Sequence, residues 1–246
     1  SEKKEPNNKA LTFYDAEYKT ANSRVGTVSI NEAKYWPFFL GKLKELSYLP
    51  ALIYTSSAEV CDELAQYCVK VRLLTPPEYS KVNQICENAM NTLPENVTSS
   101  NQIVTLFNLF KCGIAVLHDD IFYDLKKLID SLFHSGLIKA IFYFQKARFL
   151  PAQSFRTVCF TQLYNNRTLK ISSNDYIQMA SIAGRRGTDD KAGFSIICMD
   201  KKILPSNILH DLIYQPIENA KRNLRIDIDR NNNRNSAKNK NDHHNK

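Results

Sequence analysis

Short apolar runs alternate with helix-length amphipathic segments over about 150 residues of the chain, and this alternation limits the fold more than any other feature. Ala51 to Thr55 (ALIYT) is the first such run, bounded by Pro50 and by Ser56-Ser57, as expected of a strand with a break before it and a helix cap after it. Thr157 to Gln162 (TVCFTQ) and Gly193 to Met199 (GFSIICM) resume the pattern. The intervening segments predict helices. Asn31 can cap one through about Tyr48, with Tyr35, Phe38, Phe39, Leu43 and Leu46 on its apolar side. A second runs from the Ser56-Ser57 turn to Val69, and two more lie between Pro76 and Leu109, split by a loop from Leu93 to Ser100. Ile121 to Gly136 predicts a helix with Leu125, Leu128, Ile129, Leu132 and Phe133 inward and Gly136 at its C-cap. Ser173 or Asn174 caps a further helix whose apolar positions Ile177, Met179, Ile182 and Ala183 precede Gly184. With no internal repeat, this order predicts an α/β fold: a parallel sheet with helices on both faces.

The ends read differently. Residues 1–26 are polar, rich in Lys, Glu and Asn, and without sustained period, which predicts a flexible lead-in before one globular domain over residues 27–222. Residues 223–246 are rich in Asn and Lys and cannot bury enough apolar surface to offset ordering, which predicts a disordered tail. Charge follows the same division. Of the net +8, residues 221–246 carry +5, from eight Lys or Arg against three Asp, so the body is only mildly basic. Six scattered cysteines without a C-x-x-C pair point to reduced core thiols and an intracellular home, in nucleus or cytoplasm, rather than to a disulfide scaffold or a zinc site. No apolar run approaches membrane-spanning length, and His243-His244 lacks further ligands nearby in sequence, so neither membrane nor metal is expected.

Five segments carry a resemblance, in order along the chain. PALIYTSSAEVCDELA is similar to P-x-I-V-F-x-S-S-K-K-x-C-E-x-x-A, KCGIAVLH to G-I-A-V-H-H-G-G, FHSGLIKAIFYF to F-x-x-G-L-I-K-V-L-F-A-T, TVCF to T-V-V-F, and QMASIAGRRGTDDKAG to roughly Q-M-x-G-R-A-G-R-R-G-x-D-D-x-G. Together they resemble the second RecA-like domain of superfamily two DExH-box RNA helicases of the superkiller and exosome-cofactor type, from about Glu32 to Asp200 and including a helical insertion before the G-I-A-V strand.

The resemblance implies site residues. Thr55, Ser56 and Ser57, at the end of the first strand, would contact the RNA backbone, although helix capping accounts nearly as well for Ser56 and Ser57. His118 stands at the second histidine of the G-I-A-V-H-H-G-G strand and would also face RNA. Gln178, Arg185, Arg186 and Gly187 would reach the phosphates of an ATP held mainly by another domain, with Arg185 as the catalytic finger. Gln178 and Arg185 are seven positions apart, which two helical turns bring to one side.

Departures from the family pattern fall at chemically demanding positions. Leu117 replaces the first histidine, and Asp119-Asp120 replace two glycines, so two carboxylates stand where phosphate should pass. Ser181 and Ile182 replace the Gly-Arg of the first finger. The stretch Lys146 to Pro151 is about three residues short and lacks a threonine, a glutamate, a glycine and an asparagine of the family. Neither a G-x-x-x-x-G-K-[ST] loop nor a D-E-x-H motif occurs in these residues. The expectation is therefore the second RecA-like part of an ATP-dependent RNA helicase of RNA processing or decay, inactive alone. ATP and Mg²⁺ would be used only with a partner phosphate-loop domain, RNA and an RNA-decay complex being further partners. The alternative is a noncatalytic, helicase-derived RNA- or protein-binding module.

Overall fold

A computed structural model describes residues 32–144, 154–161, 164–165, 168–169, 171–184, 192–198 and 206–214. The strands are β1 (Ala51–Tyr54), β2 (Ile114–Leu117), β3 (Ala140–Tyr143), β4 (Thr157–Thr161), β5 (Tyr164–Asn165), β6 (Thr168–Leu169) and β7 (Phe194–Cys198). Five of them form one parallel sheet in the order β2-β3-β1-β4-β7, and β5 and β6 make a separate antiparallel hairpin that the sequence did not suggest. The register is level: Ala51 pairs with Ala140 and Thr157, Ala140 with Ile114, and Thr157 with Phe194. All five strands therefore start along one edge of the sheet and end along the other.

The helices are α1 (Glu32–Glu45), α2 (Ala58–Tyr67), α3 (Pro76–Thr92), α4 (Glu95–Thr98), α5 (Asn101–Phe110), α6 (Tyr123–His134), α7 (Ser173–Ala180) and α8 (Ser206–Tyr214). They cover both faces. Trp36 of α1 meets Phe142 of β3 with ring centroids 6.1 Å apart, whereas Tyr176 of α7 meets Phe160 of β4 at 4.7 Å. In a level parallel register Phe142 and Phe160 point to opposite sides, because Phe142 shares its side with Ile53 and Cys159. Strands buried on both faces need unbroken apolar runs, and β1 to β4 have them: Leu52, Ile53, Ile141, Phe142, Val158 and Phe160 are all fully buried. Each such side chain contributes on the order of 1.5–3 kcal/mol.

Two local features differ from the sequence reading. The inward stripe of α1 is Trp36, Leu40 and Leu43, spaced four and three apart, while Phe38 and Leu46 are exposed. Leu46 lies beyond the helix, which stops at Glu45 before Ser47 turns at φ 59°. The loop from Leu93 to Ser100 contains the one-turn α4, whose Val97 is buried. All six cysteines are free thiols, five of them buried, and burial pushes Cys68 up to about 12 and Cys86 to about 11. Asn31, the stretch Lys146 to Pro151, Arg185 to Gly187 and both expected flexible ends lie outside the described residues.

Candidate functional site

The carboxyl ends of β1, β2 and β3 bring together the residues expected to face RNA. Thr55 follows β1 and is fully buried; its N–H donates to the Tyr143 carbonyl at 2.9 Å. Its hydroxyl donates to the carbonyls of Ser57 at 3.0 Å and Tyr143 at 3.3 Å, so it is committed to the turn rather than turned toward a ligand. Ser57 is the N-cap of α2, its Oγ accepting from the Val60 N–H at 3.3 Å. Ser56, between them, is half-buried.

His118, also expected to face RNA, follows β2 and is 3% exposed. Its Nε2 lies 3.3 Å from Asp62 Oδ1 of α2, and its Nδ1 lies 3.6 Å from Asp120 Oδ2, too long for a hydrogen bond. The ring thus ties the β2 loop to α2. Asp62 was not among the sequence candidates, since it lies 56 residues away in sequence and only the parallel sheet brings it near. Around this ring stand Glu59, Asp62, Asp119 and Asp120, all exposed. The Ser57 side chain, the Glu59 N–H and His118 hold the Glu59 carboxyl below its ordinary range. Where the family pattern has glycines at the end of β2, this edge carries negative charge.

The glycine- and arginine-bearing motif lies elsewhere. Helix α7 starts beside the carboxyl ends of the strands, where the Asp175 charge and, more strongly, burial raise the Tyr54 phenol. It runs back to the amino ends, where Ala183 bridges Phe155 and the Gly184 N–H donates to the Phe155 carbonyl at 2.8 Å. Gly184 has φ +60°, and a Cβ there would sit 2.4 Å from the Gly193 nitrogen. A Cβ on Gly193 would in turn sit 2.4 Å from the Ala183 carbonyl carbon. These two glycines let the motif loop pass directly against the start of β7. Gln178 is exposed on α7, and the chain enters Arg185 straight from this glycine contact.

Ile182, at the place of the family's first arginine, is 4% exposed and packed into the core, and the Ser181 hydroxyl bonds back to the Gln178 carbonyl at 2.7 Å. Thr55, Ser57 and His118 therefore lie at the carboxyl edge of the sheet, whereas Gly184 meets Phe155 at its amino edge. Gly184 and Gly193 thus form a backbone contact too close for any side chain, with Gln178 exposed on the helix that leads to it. No group of three metal-ligating side chains occurs among the described residues.

No family model matches the chain. Its sequence is 33% identical over 167 residues to the mouse protein "Exosome RNA helicase MTR4", a match covering 67% of this chain and 16% of that one. It is 33% identical over 162 residues to "ATP-dependent RNA helicase mtr4" of Schizosaccharomyces pombe, covering 65% and 14%, and 30% identical over 162 residues to "Antiviral helicase SKI2" of Saccharomyces cerevisiae, covering 63% and 12%. The aligned stretch is thus about a sixth or less of these relatives' length. With the parallel sheet and the five motif segments in family order, these matches make the chain a homologue of the superkiller and exosome-cofactor type of DExH-box RNA helicases, in the form of their second RecA-like domain.

Proposed function

We propose that this chain supplies the second RecA-like half of an ATP-dependent RNA helicase acting in RNA processing or decay, in nucleus or cytoplasm, and is inactive without a phosphate-loop domain. The observation that carries the reading is the exposed Gln178 on the helix before the Gly184–Gly193 backbone contact, with Arg185 next in sequence, in a chain 33% identical to an exosome RNA helicase. In this reading Gln178, Arg185 and Arg186 face the phosphates of a nucleotide bound by the partner domain, with Gly187 letting the loop approach. ATP and Mg²⁺ belong to that assembled site. RNA and an RNA-decay complex are the partners that fit, at the strand-end residues Thr55, Ser56 and Ser57.

The test is reconstitution. The chain alone should release no phosphate from ATP at saturating RNA, whereas addition of a phosphate-loop domain from a homologue should give RNA-stimulated turnover that Arg185→Ala lowers by on the order of a thousandfold. Turnover by the chain alone, or a reconstituted pair indifferent to Arg185, would overturn the reading. A second reading, a noncatalytic RNA- or protein-binding module, is favoured by one observation: Ile182, at the first finger's place, is part of the core. Binding of RNA and partner with no turnover under any pairing is its expected outcome.

A further inference from the structure

A cleft of about 560 Å³ opens at the amino edge of the sheet, where the end of α1, the start of α3, the end of α6 and the turn into β3 meet. Its volume falls in the range of small-ligand sites. Half-buried Leu49 and Pro50 and buried Leu73, Phe133 and Ile138 line it with apolar surface. The FHSGLIKAIFYF segment supplies Gly136, Ile138 and Lys139, so the part of that segment that precedes β3 lies on this cleft. Thr55, Ser57 and His118 are at the other edge. On its inner side Phe133 stacks on Phe155 with ring centroids 4.7 Å apart, and the Phe155 carbonyl accepts from the Gly184 N–H at 2.8 Å.

The charged groups of the cleft are unequal. Glu78 is already occupied: it accepts from the Thr75 N–H at 2.8 Å, the Thr75 hydroxyl at 2.9 Å and Lys139 Nζ at 2.7 Å. The two ammonium groups are not. Lys139 uses one donor on Glu78, and Lys44 uses one on the Arg72 carbonyl at 2.9 Å, of the three that each carries. No carboxylate pairs with Lys44 among the described residues. Lys44 and Lys139 against Glu78 leave the cleft one positive charge in excess. Each ammonium is also anchored by the bond it makes, which lowers the ordering cost of a further contact. A phosphate, near −2 at neutral pH, exceeds that charge, whereas a monocarboxylate matches it.

We propose that the amino-edge cleft binds a small monocarboxylate with an apolar body, the body covering Leu49 and Pro50 and the carboxylate pairing with the ammonium groups of Lys44 and Lys139. The apolar walls and the excess charge each select one half of such a molecule. The binding does not depend on the helicase reading.

Titration of the full chain with phenylbutyrate, followed by amide NMR, tests the site. Saturable shifts at Gly136, Ile138 and Lys139 are expected. Phenylbutylamine keeps the body and reverses the charge, and butyrate keeps the charge without the ring; each should bind at least about tenfold more weakly. Lys139→Met also strips Glu78 of its partner and so risks the fold, which makes Lys44→Met, at an exposed position, the deciding variant. It should weaken phenylbutyrate about tenfold with an otherwise unchanged spectrum, and Lys44→Arg should restore binding. Absence of saturable shifts at these residues, equal binding of the amine, or full affinity in Lys44→Met overturns the proposal.

Discussion

Replacing Ile182 by arginine restores the residue type of the family's first finger, and the structure predicts that the change unfolds rather than repairs the site. Ile182 is 4% exposed, one residue past the Ser181 C-cap of α7, and the next residue bridges Phe155. Removing an aliphatic side chain from such a position costs about 2–5 kcal/mol, and an arginine adds a guanidinium that must either stay buried unpaired or pull the Ala183–Phe155 bridge apart. The expected loss is on the order of 3–5 kcal/mol, a large share of the roughly 5–15 kcal/mol by which domains are stable. Urea unfolding followed by circular dichroism measures it, with Ile182→Val as a control expected to lose about 0.5–1.5 kcal/mol. An arginine variant within about 1 kcal/mol of the parent would refute the reasoning, because the side chain would then be free to leave the core. In that event the same variant with Ser181→Gly, paired with a phosphate-loop domain, should gain ATPase activity.

Two further outcomes follow from the polar contacts. Glu78 accepts from the Thr75 N–H at 2.8 Å and from Lys139 Nζ at 2.7 Å; burial opposes its ionisation, but the Lys139 and Thr75 hydrogen bonds prevail and bring its carboxyl down to about 2. A lowered folded value stabilises above the ordinary 4.5 and is lost as pH falls toward 2, so Glu78→Gln should flatten the acid limb of stability by about 1–2 kcal/mol, the pair being a quarter exposed and partly screened. An unchanged acid limb would count against the Lys139 contact. Thr55→Val removes the hydroxyl bonds to Ser57 and Tyr143 and should cost about 1–2 kcal/mol of stability while leaving RNA affinity unchanged; a selective loss of RNA binding would return Thr55 to the RNA surface.

The strands and most helices were legible because their information is local. ALIYT, TVCFT and the run ending in AIFY are too short and too uniformly apolar to be surface helices, and Ser57 stands where an N-cap should. Helix α1 was legible as a helix but not in its facing. Tyr35, Trp36, Phe38, Phe39, Leu40, Leu43 and Leu46 surround it with apolar side chains, and the contact of Trp36 with Phe142, more than 100 residues later, selects the face. The same limit governs the site. A hydroxyl at a strand end reads alike whether it meets solvent or, as Thr55 does, the carbonyl of a neighbouring strand. His118 became a buried tie only because α2 places Asp62 against it. The two-residue strands β5 and β6 fall below the length at which alternation can be detected.

The opposed charges of the carboxyl edge and the segment after α8 make salt a diagnostic variable in its own right. A phosphate about 10 Å from one edge carboxylate is repelled by about 0.4 kcal/mol in water, so four such groups at that distance give about 1.7 kcal/mol before screening, somewhat more than about tenfold in affinity. Near physiological ionic strength the screening length is about 8 Å, and most of that penalty disappears. Cations in residues 221–246 respond in the opposite sense, since each neutralised phosphate of a single strand steepens the loss of affinity by about 0.7 in log–log slope. Rising salt thus weakens the attraction while relieving the repulsion. The full chain should show a shallower salt dependence than its eight basic residues there would give, and Asp119→Asn/Asp120→Asn should steepen it. If the two variants share one slope, the edge has no influence on RNA, and its carboxylates are only a solvated rim.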